Sequence, residues 1–255
     1  MRYATLATDV AVASAATDLL ADTVLLANTL KSRPVAAVIL PAGKTPQPLF
    51  AEILRRARRG ALDLRRVRFF QLDEYVGTGP SDARSFAALL RRELLDPLGR
   101  AADQDALLDG AAADPAAEIA RHARELAAIG GADLAFLGIG RNGHVAFNEP
   151  GTLRRDGARL VVLAAETRAG AAAEFAPAPP PTAGITLGLA EIAAARRIGL
   201  LAIGAGKQAI VASLLSTPPG SDRPASLLLD HPDFTLFADA AAAGACESRG
   251  NATRG

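Results

Sequence analysis

Residues 35–58 read Val-Ala-Ala-Val-Ile-Leu-Pro-Ala-Gly-Lys-Thr-Pro-Gln-Pro-Leu-Phe-Ala-Glu-Ile-Leu-Arg-Arg-Ala-Arg. Six apolar residues without alternation, 35–40, predict a strand buried on both faces. Pro41, Gly43 and Pro46 break the run, and apolar residues at helical spacing follow over 47–58. A buried strand, a glycine turn and an amphipathic helix make one half of a parallel βαβ unit.

Outward from this unit the pattern repeats. Further apolar runs of strand length lie at 67–72, 133–138, 159–163, 198–203 and 234–238. Helical spacing occupies 9–29, 83–95, 115–128, 187–195 and 207–215, with Ser81 or Asp82 as the expected cap of the second and Asp114-Pro115 opening the third. The alternation predicts a single α/β domain over residues 1–238, with a doubly wound, mainly parallel, Rossmann-like sheet flanked by helices on both faces. Four prolines within 176–183 predict a surface loop able to act as a lid. The small, polar tail at 239–255 is expected to fray.

Composition narrows the function classes. The chain has 255 residues, half of them hydrophobic, with 22% charged and a formal net charge of +1. Near-neutral charge argues against nucleic acid or an anionic membrane as partner. One cysteine, Cys246, excludes an internal disulfide and a cysteine-rich zinc site. No apolar run of spanning length is expected, and because Asp9 and Asp18 interrupt the apolar N-terminal region and no basic leader is present, no signal peptide is expected. A cytoplasmic protein fits these features. Only three of 28 basic residues are lysine: Lys31, Lys44 and Lys207. The latter two sit in glycine turns after apolar runs.

Open parallel sheets bind ligands beyond the carboxyl ends of their strands, so the residues leaving each strand carry the information. They are Gly43-Lys44-Thr45, Asp73-Glu74-Tyr75, the stretch from Gly140 to Gly151, and Gly204-Ala205-Gly206-Lys207. Gly43-Lys44-Thr45 is not a nucleotide P-loop, because Val38 stands where that motif needs glycine. It still aims backbone N–H groups and a hydroxyl at a small anion, although a glycine turn with nothing bound reads the same way. Asp73 is a candidate base, or else a turn cap. Glu74 is expected to be structural, since neighbours leaving a strand point apart. His122 is expected on a solvated helix face, and His231 precedes a proline near the last strand. His144 has Glu149 five residues on; an imidazole oriented by a carboxylate is an acid–base at neutral pH, and spacing alone reads equally as a buried, hydrogen-bonded histidine. Arg154, Arg155 and Arg159 read as a solvated face, with a subunit interface or allosteric site as the alternative.

The strings Leu72-Asp73-Glu74-Tyr75-Val76-Gly77 and Gly138-Ile139-Gly140 through Gly143-His144-Val145-Ala146-Phe147-Asn148-Glu149-Pro150-Gly151 resemble the glucosamine-6-phosphate deaminase/isomerase family. Segments 40–46, 165–168, 185–188 and 204–207 agree, so the resemblance runs from about residue 35 to about residue 238. The sister 6-phosphogluconolactonases typically carry arginine at the place of Tyr75 and a different string after the histidine. The resemblance implies a deaminase that converts glucosamine 6-phosphate and water to fructose 6-phosphate and ammonia, with no metal or other cofactor. It implies catalytic roles for Asp73, His144, Glu149 and Asn142, phosphate contacts from Gly43, Lys44, Thr45, Arg168 and Lys207, and substrate contacts from Glu74, Gly143 and Ala146. Many members have Asp where this chain has Asn142, which leaves that position a hydrogen-bonding role. The implied partner is a small hexosamine phosphate, and a homo-oligomer is compatible with the sequence. A lactonase and a non-catalytic sugar-phosphate binder are the alternatives.

Overall fold

The computed structural model describes residues 1–29 and 35–244. Lys31, Cys246 and most of the predicted tail lie outside the described residues. A six-stranded sheet runs in the order β1 (Arg2–Leu6), β9 (Phe234–Asp239), β8 (Ile198–Ala202), β5 (Leu134–Gly138), β2 (Ala36–Leu40) and β3 (Val67–Gln71), with every neighbouring pair parallel. β2, β8 and β9 are buried along their whole length, as their mainly apolar runs predict, with Thr235 and Asp239 of β9 the polar members.

Side chains alternate across this sheet and feed two cores. Val38, Leu40, Leu134 and Phe136 pack with α1 (Asp9–Thr29) and α2 (Gln47–Arg58). Ala37, Ile39, Ala135 and Leu137 pack with α4 (Pro115–Ala128), α6 (Leu189–Ala193) and α7 (Gln208–Ser216). α1 is long and apolar enough to cross a bilayer by length and composition, contrary to the expectation that no apolar run reaches spanning length. Its Val12, Ala16, Leu20 and Val24 are buried in the core.

Two strands leave the predicted plan. Residues 159–162 form β6 (Arg159–Val162), which lies outside the parallel sheet. It is the edge of a three-stranded antiparallel sheet in the order β4 (Asp73–Tyr75), β7 (Ala183–Thr186), β6. The half-buried, alternating pattern of β6 suits one face in water, which a strand central to the parallel sheet does not have. β1 and β7 are short strands that the run-length reading passes over.

The proline-rich stretch connects α5 (Ala165–Phe175) to β7, whose pairing with both β4 and β6 pins its far end. Asp114 caps α4 as expected, accepting from Ala117 N at 2.9 Å. The cap of α3 (Phe86–Leu90) is Ser85 rather than Ser81 or Asp82; its Oγ accepts from Ala88 N at 2.9 Å. Residues 240–243 of the predicted tail form α8 (Ala240–Ala243), capped by Asp239.

Connections wind outward from β2 to β3 on one side and from β5 to β8 and β9 on the other. The topological switch point therefore lies between β2 and β5. The small sheet stands beside the carboxyl end of β3, where Leu72 N donates to Leu40 O at 3.2 Å and Leu187 N to Leu72 O at 3.0 Å.

Candidate active site

A cavity of about 640 Å³ opens at this switch point. The turn after β2 contributes Pro41–Thr45, β4 contributes Asp73 and Tyr75, the turn after β5 contributes Ile139–Arg141 and His144, and the turn after β8 contributes Lys207. α5 forms the cover through Glu166, Thr167, Gly170 and Glu174, while none of residues 176–182 lines the space. The element over the cavity is thus a helix, and the prolines belong to its exit.

Asp73 is buried at the floor. Burial, and then the neighbouring carboxylate of Glu74, push its carboxyl up to about 8. Glu74 faces away from the cavity, as period-two geometry requires. Its carboxylate accepts from Tyr75 N at 2.9 Å, Phe86 N at 3.0 Å, Ala87 N at 2.8 Å, Gln71 Nε2 at 3.0 Å and Thr78 Oγ1 at 3.2 Å. Burial pushes the Glu74 carboxyl up, and the Phe86, Ala87, Gln71 and Tyr75 donors work the other way. The substrate contact implied for Glu74 is corrected accordingly: it is the anion at the N-terminus of α3.

The His144 imidazole lies over the bare Cα of Gly140. A Cβ there would meet the ring Cε1 at 2.3 Å. The turn that holds it is closed by Gly140 N donating to His144 O at 2.9 Å and Gly143 N to Gly140 O at 3.1 Å. Gly143 has φ +84°, a left-handed conformation suited to glycine. His144 Nδ1 is 3.3 Å from Glu149 Oε2, without the alignment of a hydrogen bond. Asn142 bridges the two, its Nδ2 donating to Glu149 Oε2 at 3.1 Å and its Oδ1 accepting from His144 N at 3.1 Å. The hydroxyl of Thr167, on the cover helix, donates a short bond to Glu149 Oε1. Burial opposes the charge of Glu149, but His144, Thr167 and Asn142 outweigh it and hold the carboxyl below the usual range.

Gly43, Lys44, Thr45 and Lys207 all line the cavity. The Lys44 side chain is 87% exposed, with its Nζ 3.8 Å from Glu174 Oε1. Burial and then Arg141 hold the Lys207 ammonium below its ordinary range, with Glu166 opposing. Arg168 does not join them. It stands on α5 outside the lining, and its Nε is buried without a partner. Ala146 lines the cavity at φ 53°, whereas Gly143, Asn142 and Glu149 stand behind the lining.

His122 is corrected from a solvated face to the interior. It shares the buried stripe of α4 with Ile119 and Leu126, and its Nε2 lies 2.8 Å from Gln71 O. A carbonyl only accepts, so Nε2 carries the proton. Burial pulls this imidazole down to about 4. His231 Nε2 similarly meets Ala195 O at 2.8 Å. Arg159 is held by Asn148 Oδ1 at 3.0 Å and Thr152 Oγ1 at 3.2 Å. Arg154 pairs with Asp230.

The grouping of the cavity's aromatic side chains escapes the sequence reading. Tyr75, Phe86, Phe147 and Phe175 form an aromatic cluster with centroids 4.7 Å (Tyr75–Phe86), 5.1 Å (Tyr75–Phe147) and 5.3 Å (Tyr75–Phe175) apart; the first three line the cavity. Their spacing in sequence carries no period that would group them. Thr167 was legible only as a neighbour of Arg168, because α5 is rich in alanine and lacks a strong apolar stripe.

Residues 7–236 match the family described as glucosamine-6-phosphate isomerases/6-phosphogluconolactonase. A glucosamine-6-phosphate deaminase of Bacillus velezensis is 37% identical over 221 residues, covering 86% of this chain and 92% of the relative. One from Streptomyces coelicolor is 39% identical over 222 residues, covering 86% and 84%. Among solved structures, a monomeric glucosamine-6-phosphate deaminase superposes with a TM-score of 0.88 at 31% identity, over 95% of this chain and 99% of its own. A 6-phosphogluconolactonase from Trypanosoma brucei superposes with a TM-score of 0.73 at 21% identity, over 95% and 97%, and shares the fold.

Proposed function

We propose a role for each group in this cavity on the premise that the chain belongs to the family of glucosamine-6-phosphate isomerases and 6-phosphogluconolactonases. Within that family it is a glucosamine-6-phosphate deaminase: an enzyme that takes glucosamine 6-phosphate and water to fructose 6-phosphate and ammonia. One observation carries the assignment of roles. A buried carboxylate, Asp73, and an imidazole backed by a carboxylate, His144 with Glu149, share a single hexose-sized cavity with two lysine-bearing glycine turns.

The steps follow from the chemistry of the substrate. Opening the pyranose requires a proton at the ring oxygen and removal of one from the anomeric hydroxyl. His144 serves here, with Glu149 Oε2 3.3 Å from its Nδ1. Asp73 then takes the proton from C2 and returns it to C1, passing through an enolamine. A base that must both accept and release a proton works best with a pKa near the operating pH, which burial of Asp73 supplies. Water adds to the C2 iminium so formed, and the carbinolamine expels ammonia. Backbone N–H groups of the Gly43 turn, the Thr45 hydroxyl, Lys44 and Lys207 bind the ester dianion away from the reacting carbons.

A phosphate dianion does not cross an apolar bilayer unaided, and we place the enzyme with its substrate in the cytoplasm.

The test is ammonia release from purified protein supplied with glucosamine 6-phosphate, alongside hydrolysis of 6-phosphogluconolactone. Ammonia with the first and only the spontaneous rate with the second is the expected pair. The reverse pair would make the protein a lactonase.

A further inference from the structure

Gln71 ends β3, and its side chain is fully buried. A buried primary amide is costly unless its polar atoms find partners. Here all of them do. Oε1 accepts from Leu108 N at 2.9 Å, while Nε2 donates to Asp73 O at 2.8 Å and to Glu74 Oε2 at 3.0 Å. A backbone N–H only donates and a carbonyl only accepts, so these partners fix the amide in one orientation. Asp73 follows two residues on, where the chain crosses from the parallel sheet to the small one. Among the described residues no hydrogen bond holds the Asp73 carboxyl, on which burial and the charge of Glu74 act. Its direction is therefore set by its backbone, and the Gln71 amide holds the carbonyl of that backbone.

We propose that Gln71 is a positioning residue for the base: its amide ties the Asp73 peptide to the Glu74 carboxylate and so aims the Asp73 carboxyl at the reacting carbons. Glutamine suits the place. One acceptor and two donors match one backbone N–H and two oxygens, a set that neither glutamate nor an apolar side chain of that length offers. A carboxyl that takes a proton from C2 and returns it to C1 needs one fixed seat, since a displacement of about 1 Å can cost about a hundredfold in rate. The proposal rests on the reading of Asp73 as that base.

Steady-state kinetics of Q71M, Q71E, D73N and H122F with glucosamine 6-phosphate test it, each repeated with substrate deuterated at C2. Q71M and Q71E keep the length of the side chain and lose its two-donor end; either one decides should the other fail to fold. Both are expected to lower kcat by about ten- to a hundredfold with KM within about twofold of the parent. The isotope effect on kcat is expected to rise in both, because proton transfer slows relative to the other steps. H122F is the control, since it removes the bond to the Gln71 main-chain O and spares the amide. It is expected to unfold at a lower temperature at pH 7, with kcat and the isotope effect of the parent. A parent-like kcat in the folded Gln71 variants would overturn the proposal. So would a loss of kcat with an unchanged isotope effect, or an equal loss in H122F. If D73N kept the kcat of the parent, the reading of Asp73 as the base would fail, and the positioning role with it.

Discussion

In the unfolded chain the Asp73 carboxyl titrates near its ordinary 3.8, and in the folded site near 8. Between those values the folded protein binds the extra proton, so this group's contribution to stability falls as pH rises through that window. Asp73→Asn keeps the shape and removes the ionisation. It is therefore expected to unfold at a higher temperature than the parent at pH 8 and at the same temperature near pH 4. Equal shifts at both values, measured by thermal unfolding, would refute the account. The same substitution is expected to lower kcat by about 10²- to 10⁴-fold, the range for loss of a positioned base. In the parent, kcat/KM is expected to rise with pH toward 8 as that base ionises. Gly140 offers a second test at this scale. Gly140→Ala puts a methyl where the His144 ring now lies, so it is expected to displace the imidazole and lower kcat at least about a hundredfold with the fold retained. Near-native kcat, with an unshifted circular dichroism spectrum, would show that the ring does not need its present seat.

At the scale of elements, the junction of β3, β4 and α3 depends on Glu74. Five donors converge on its carboxylate, two of them backbone N–H groups from the start of α3. Glu74→Ala leaves these buried groups unsatisfied and is expected to cost about 3 kcal/mol or more of stability in denaturant titration. Glu74→Gln, which keeps the shape and one acceptor oxygen, is expected to cost less. A substrate-contact role would instead move KM and leave stability alone. The seam between α4 and β3 carries a pH signature of opposite sign to that of Asp73. His122, ordinarily near 6.5, is held down to about 4 by burial. The unfolded chain then binds the extra proton between those values, and stability from this group is lost as pH falls through them. His122→Phe is expected to weaken the protein at pH 7, where the bond to Gln71 O is lost, and to flatten the acid-side decline. An undiminished decline between pH 6.5 and 4 in the variant would assign it elsewhere.

For the molecule as a whole, the cavity exists because two sheets and one helix meet. The parallel sheet brings the β2, β5 and β8 turns together, the small antiparallel sheet presents Asp73, and α5 closes the top with Thr167 bonded to Glu149. Ligand binding should therefore stabilise all three at once. Fructose 6-phosphate at a hundredfold excess over its Kd is expected to add about 2.7 kcal/mol to the unfolding free energy. Combining Lys44→Ala with Lys207→Ala should abolish that gain. If the double variant were protected as fully as the parent, the phosphate would have to be held elsewhere.

Much of this was written along the chain. Mainly apolar runs at 35–40, 198–203 and 234–238 suit burial on both faces, and with helices between them they point to a parallel sheet and place ligands at its carboxyl ends. The glycine turns, Asp73 and the stretch from Gly140 to Glu149 were legible because turn chemistry and titratable groups are local properties of the chain. What remained for the tertiary structure was every decision made by contacts distant in sequence. Glu74 turned to α3, His122 went inside, β6 joined a second sheet, and Arg141 reached the cavity. A side chain's period along its own element says which face it occupies. Only the packing of other elements against that face decides whether it meets water, a core or a ligand.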